Sequence, residues 1–382
     1  LGLERVRWDP ARRHRPEHEA ASAAAAAAAA QAAAAAQRAP SPEEVARQQR
    51  RQALVAQRAA QAQCERCYAE SIRGWREASE LLRSGDPGAA RERTERLTGE
   101  LLRQMLSDPE SSIRLLTESV GDRGSAHALN VTVLSLLLGR LIGLAEAELM
   151  MLGLGALLHD IGKIDLPDRV RFLEEQFTGA EVKLYREHVA LGVAHARRMG
   201  LPPAALLVIA QHHELADGSG FPLRLPLDKV SQGARIVALV NRYDNLCNPA
   251  LAACALTPHE ALSLLYAQGQ ARHDPRLLGA FVRMMGVYPP GSVVQLSDDR
   301  YALVASVNAA RPLKPRVLVH DARVPRDEAL VLDLEREPAL SIRRSLKPAQ
   351  LPREAQQYLA PAQRVAYFFD AAPAPLTQER FT

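Results

Sequence analysis

The chain has too few cysteines to hold itself together with disulfides. Four in 382 residues, two of them in a lone "CERC" (Cys64 and Cys67), make no framework of paired bridges. That excludes the disulfide-stapled class of small secreted domains and favours a reducing, cytoplasmic compartment. A single CxxC on a helical stretch, with no second pair, reads as structural rather than as half a zinc site. Long apolar runs are missing too. The best candidate, "LNVTVLSLLLGRLIGL" from Leu129 to Leu144, falls short of the about 20 residues a span needs, carries Arg140 and runs straight into Glu146 and Glu148. It reads as a buried helix, and no membrane span is expected. No stretch reads as a signal peptide, and the chain opens on Leu1 rather than Met, which reads as a start inside a longer protein. An excess of one charge sign is also absent. Lys and Arg total 48 against 44 Asp and Glu, interspersed, with no basic stripe interleaved with aromatics, so a nucleic-acid polymer is not an expected partner.

What is present is a globular composition, 47% apolar and 24% charged, on a chain long enough for two or three domains. "LGLERVRWDP" alternates like a last strand and its turn, so residues 1–19 are expected to be the remnant of a truncated N-terminal domain. Residues 20–63 begin with nearly pure alanine and continue as a charged, breaker-free stretch. That pattern has helix propensity without a face to bury, and reads as a helical linker. Residues 64–106 read as a helical connector broken at "SGDPG". From 107 to 290 apolar residues recur at i, i+3 and i+4, predicting a bundle with helices over 125–143, 146–160, 178–200, 202–214, 228–246, 257–269 and 274–286. The period then switches to two. "SVVQLS", "YALVASVN", "RVLVHDA" and "ALVLDL" predict a small antiparallel β module over 291–382, ending in a short helix and an aromatic tail. The fold class expected is mainly α, with an N-terminal helical linker and a small C-terminal β module.

The histidines carry the chemistry. "ALLHDIGKIDLPD" puts His159 and Asp160 at the end of an apolar run, where an ionised carboxylate is costly without a partner charge. A polar cap before Gly162 is one reading of that pair. His127 at the start of one helix, His188 in "YREHVALG" and His212 with His213 in "QHHELADGSGFP" supply another. Five imidazoles and one carboxylate at ends or single faces of bundle helices suit a dinuclear iron, manganese or zinc site, with Asp160 able to span two ions. Lys163, one turn past His159, is placed to meet a phosphate oxygen. The chemistry indicated is metal-assisted hydrolysis of a phosphoester. His195, His259, His14, His18, His273 and His320 read as packing, capping or loop residues.

His127, "HDIGK", "EHVALG", "HHELADGSGFP" and "ARIVALVNRYDNL" resemble, in order and spacing, the HD-GYP branch of the HD phosphohydrolases over roughly Ser107 to Gly286. The resemblance implies an HD-type helical bundle. It further implies hydrolysis of the bacterial second messenger cyclic di-GMP at two divalent ions, iron or manganese. Its metal ligands carry onto His127, His159, Asp160, His188, His212 and His213, with Asp160 bridging. Lys163 matches the lysine at the scissile phosphate, and Asp217, Gly218, Gly220, Phe221 and Pro222 match the signature loop, with Phe221 where a Tyr is usual. Diguanylate cyclase domains and a second copy of the chain are the implied protein partners.

The sequence departs from the family pattern in four places. Asn241 stands where an Asp ligand is usual, leaving Asp244 as the only acid of that segment; an amide brings no charge, so one ion should bind less tightly. Arg123 replaces a Glu that holds a third ion in some members, and a cation there opposes a third metal. The Arg and Lys that usually follow Asp244 give way to "CNPALAACAL", leaving Lys163, Arg235 and Asp244 as the expected substrate contacts. Leu215 replaces an Arg, and Phe221 lacks the Tyr hydroxyl. The alternative to an enzyme is therefore a weak or inactive domain that binds cyclic di-GMP or a protein partner.

Overall fold

A computed structural model describes residues 21–29, 41–107, 112–116, 122–172, 177–308 and 311–370. The expected N-terminal remnant, residues 1–19, lies outside them. The chain divides into two units, Leu1–Ala53 and Leu54–Thr382. In the first, residues 21–29 of the alanine tract are helical and exposed, as expected for a sequence with no face to bury.

Helix α1 (Pro42–Arg83) is followed by α2 (Pro87–Leu106), the break falling at the expected "SGDPG", where Asp86 caps α2 by accepting from Ala89 N–H. Strand β1 (Ser112–Leu115) leads to α3 (Arg123–Leu141) and α4 (Glu146–Leu158). α3 is the apolar run singled out above. It is buried on nearly every side, and each fully buried Leu on it contributes roughly 1.5–3 kcal/mol. Helices α5 (Gly179–Arg186), α6 (His188–Arg198), α7 (Pro203–Gln211), α8 (Gln232–Cys247), α9 (Pro258–Gly269) and α10 (Pro275–Met285) complete the bundle.

One expected helix, 178–200, is two. At Glu187 the ladder tightens to an i−3 bond from its N–H to Leu184 O, and the Tyr185 carbonyl is taken by the His188 ring. Elsewhere the expected helices end early: α4 stops before His159 and α7 before His212, so the paired motifs sit in the turns after helices.

Among the described residues the sheet has seven strands, all pairings antiparallel: β1, β2 (Val293–Leu296), β3 (Tyr301–Val307), β4 (Arg316–Val319), β5 (Val331–Asp333), β6 (Ile342–Leu346) and β7 (Tyr367–Asp370). It is not built from the C-terminal region alone. β1 enters from before the bundle and pairs with both β3 and β7, and β7 is formed by the aromatic tail. Short helix α11 (Arg353–Leu359) lies between β6 and β7. Helical and β residues share one apolar core, from Leu129 and Val237 through Phe281 to Val304 and Phe368. The divisions expected at 106 and 290 therefore mark changes of element within one compact unit. Cys64 is buried in that core and Cys67 packs against it, matching the structural reading of the CxxC. Among the described residues, no helix is long and apolar enough to cross a membrane.

Candidate metal centre

The last carbonyls of a helix have no partner within it. Here histidines just past the ends of helices use them. His159 Nδ1–H donates to Ala156 O at 2.7 Å and His212 Nδ1–H to Ile209 O at 2.8 Å. His188, at the α5–α6 break, donates to Tyr185 O at 2.6 Å. Each bond reaches three residues back, fixes the tautomer and leaves the Nε2 lone pair facing inward. His127, on α3, gets the same orientation from a carboxylate, its Nδ1 lying 2.6 Å from Asp244 Oδ2.

The inward nitrogens form two sets that share Asp160. His127, His159 and Asp160 make one; His188, His212, His213 and Asp160 make the other, the ligand atoms of each lying within 4.8 Å of one another. Asp160 Oδ2 lies 3.5 Å from His127 Nε2 and 3.4 Å from His159 Nε2. Oδ1 lies 3.4 Å from His188 Nε2 and 3.7 Å from His212 Nε2, and is a buried oxygen with no hydrogen-bond partner. A buried acceptor left without a donor is costly. Imidazole nitrogens also crowd each other, at 3.2 Å for His159 to His127 and 3.1 Å for His213 to His188. Converging lone pairs around an orphaned carboxylate oxygen suit two cations better than any set of protons, so the donors fit a pair of divalent ions.

The electrostatics agree at three of the five histidines. Burial holds His159 and His188 neutral, at about 4 and about 3, and pushes His213 down as well, which is the form a ligand needs. Burial also opposes charge on His127, but Asp160 and Asp244 outweigh it and raise it to about 9. Asp160 is held well below the usual carboxylate range, since Lys163 and His159 overcome the cost of its burial. Lys163 Nζ lies 2.5 Å from Asp160 Oδ2 and 5.1 Å from the centre of the buried Tyr185 ring.

A family profile described as an HD domain matches residues 97–277, the segment that supplies every one of these donors. Among curated proteins, the cyclic di-GMP phosphodiesterase PA4108 of Pseudomonas aeruginosa is 29% identical over 225 residues. The cyclic di-GMP phosphodiesterase response regulator RpfG of Xanthomonas campestris is 34% identical over 145 residues. Residues 97–277 of this chain carry an HD domain. The matched regions are 58% of this chain and 54% of PA4108, and 37% of this chain and 38% of RpfG, so the chain spans about half or less of these relatives' lengths. Among solved structures, Bd1817, an HDG"Y"P protein from Bdellovibrio bacteriovorus, aligns with a TM-score of 0.49 and 19% identity over 58% of this chain and 71% of its own.

Within the HD domain the remaining expected residues separate. The signature loop turns against the second set of ligands. Phe221 stacks on His213 with centroids 4.3 Å apart, and the Arg186 guanidinium lies 4.8 Å from the centre of the Phe221 ring. At Gly220 a Cβ would lie 2.5 Å from His213 O and Leu215 N, so no larger residue fits. Asp217 is exposed and accepts from Ser219 N–H and Oγ, which makes it a turn former, and Gly218 follows at φ 73°. Pro222 is exposed at the loop's edge. Glu214, not singled out in the sequence, is buried and closes the loop by accepting from Leu223 and Leu225 N–H.

Three expected contacts are engaged elsewhere. Asp244 is fully buried, with Oδ2 on His127 and Oδ1 accepting from Asn130 and Asn248 at 2.7 and 2.9 Å. It positions a ligand. Arg235 is turned away to Val230 O and Asp274, which belong to neither set. Asn241 is buried, but its Oδ1 accepts from Asn245 Nδ2 at 2.6 Å, so the oxygen expected on an ion is engaged within α8. Asn130 had a signal in the sequence, as an amide side chain in the apolar middle of α3 that needs a buried partner. His195, read as packing, is buried and bonded to Asp165 at 2.6 Å.

Proposed function

We propose that this HD domain is the catalytic part of a metal-dependent phosphodiesterase that hydrolyses cyclic di-GMP in bacterial second-messenger signalling. The observation that carries the reading is the shared carboxylate: Asp160 offers one oxygen to each of two histidine sets. His127 and His159 would hold one ion and His188, His212 and His213 the other, iron or manganese being the metals this donor set suits. Bound there, the ions would act as Lewis acids toward a phosphodiester and the attacking water. The chain's own residues do the rest. The backbone carbonyls of Ala156, Tyr185 and Ile209 fix the rings, and Asp244 fixes His127. Lys163 would offset charge developing on a phosphate oxygen beside Asp160. Phe221 covers one face of the His213 ring by stacking on it. Diguanylate cyclase domains and a second copy of the chain are the protein partners we propose for it, and the cytoplasm its place of action.

A second reading, a receptor that binds the nucleotide without turnover, is favoured by the engagement of Asn241 with Asn245. Purified chain reconstituted with Mn(II) or Fe(II) separates them. Enzyme activity requires linear dinucleotide or GMP to appear from cyclic di-GMP, and to stop with a chelator. Two ions per chain with no product would leave the receptor.

A further inference from the structure

The residues lost after Asp244 leave the substrate with few cations, yet the fold brings others to the same place. A small pocket opens beside His127, lined by Asp122, Arg123, Ala126, Asp244, Asn248, Arg364 and Val365. Arg123 opens α3, whereas Arg364 belongs to the segment before β7, more than a hundred residues beyond the HD motif. Its place is fixed by its neighbour. Val365 N–H donates to Asn248 Oδ1 at 2.9 Å, and Val365 O accepts from both Asn130 and Asn248 at 3.0 Å. Those two asparagines also hold Asp244, and through it His127, so the tail is pinned to the scaffold of the metal centre.

Neither arginine is neutralised there. Asp122 is spent on Arg76 and Ser125, and Asp244 on His127, Asn130 and Asn248. Among the described residues Arg123 meets the Asn248 carbonyl at 3.3 Å and the Phe172 ring, and no carboxylate. Arg364 has no hydrogen-bond or ion-pair partner among the described residues. Burial and the charge of Arg364 both lower the pKa of Arg123, while Asp244 and Asp160 raise it, so its guanidinium feels the metal-centre carboxylate and the second arginine together. Two like charges held side by side, one half-buried, are costly without an anion between them.

We infer that Arg123 and Arg364 form an anion subsite for the second phosphodiester of a cyclic dinucleotide, the one not at the paired ions. The inference rests on the phosphodiesterase reading for its ligand. A cyclic dinucleotide carries two phosphates; with one at the Asp160 cluster, the other needs a cation within the span of the ring, and a guanidinium pair is suited to phosphate oxygens.

The test uses the full chain with Mn(II). KM and kcat for cyclic di-GMP, and its dissociation constant by calorimetry, are measured for wild type, Arg364→Ala, Arg364→Lys and Arg123→Ala. Arg364 is exposed, so its variants should fold; Arg123→Ala, half-buried, is accepted only with an unchanged melting curve. The expected result is a rise of about tenfold or more in KM and dissociation constant for each alanine variant. A smaller change in kcat, partial recovery in Arg364→Lys and a shallower salt dependence should accompany it. Affinity within twofold of wild type in Arg364→Ala overturns the subsite, and turnover by wild type would then leave the enzyme reading standing. Tight binding without turnover, lost in Arg364→Ala, keeps the subsite and removes the enzyme. No binding by wild type removes both.

Discussion

His127 and Asp244 are 2.6 Å apart across 117 positions of sequence, and that contact joins the metal centre to the C-terminal tail. The carboxylate takes the imidazole on one oxygen and two asparagines on the other, and the same asparagines bind the backbone of Val365. If Asp244 orients His127 and does not touch substrate, Asp244→Asn should lower metal affinity and kcat by about 10–100-fold while KM for cyclic di-GMP stays within about twofold. A rise in KM alone would return Asp244 to the substrate.

Asp160 serves both histidine sets, so its loss should be felt by both ions at once. Asp160→Asn is expected to bring bound metal, counted by plasma mass spectrometry, below one ion per chain and to cut hydrolysis by at least about a hundredfold. Removing metal from the wild type with a chelator should reproduce the loss, with recovery on adding Mn(II). A variant that keeps two ions would mean that Asp160 is not shared.

Position 241 gives a gain instead. Asn245 Nδ2 already donates to the side-chain oxygen at 2.6 Å, and a carboxylate would accept the same bond. Asn241→Asp should therefore leave the melting temperature nearly unchanged and tighten metal binding in a competition titration. No change in affinity would show that the ligand set is complete without this position.

Gly162 lies where the turn after His159 and Asp160 meets α6: a Cβ on it would sit 2.0 Å from His188 O and 2.4 Å from Gly192 N. Both are backbone atoms and cannot swing aside. Gly162→Ala should cost about 3 kcal/mol or more in urea unfolding and lower metal content with it, because His188 is displaced.

His273 supplies a pH dependence away from the metal ligands. Burial, helped by Arg242 and Arg272, lowers its pKa from 6.5 to about 4. The folded state keeps this imidazole neutral, whereas the unfolded chain takes up a proton below pH 6.5. Its contribution to stability is thus full above pH 6.5 and declines as pH falls toward 4, by up to roughly 3 kcal/mol. His273→Leu should flatten that part of the wild-type urea-midpoint profile; parallel profiles would show that His273 does not carry it.

The sequence by itself determined the helices and most of the metal cluster, because those signals are local. Apolar spacing of three and four residues marks the bundle, and the turn after a helix places His159 with Asp160 and His212 with His213 within a few residues of the carbonyls that orient them. Periodicity ran past the true ends of α4 and α7, since it registers the apolar face and not the point where a side chain takes over a carbonyl. The tertiary structure decided what a buried polar group meets. Asp244 looked like a substrate contact until Asn130, Asn248 and His127 saturated it, and Arg235 looked free until it met Asp274. β1 and β7 pair across some 250 positions, and Arg364 reaches the metal centre only because Val365 is held by asparagines from two helices. Such partners are chosen by closure of the whole chain around one core, a condition that no window of neighbouring residues contains.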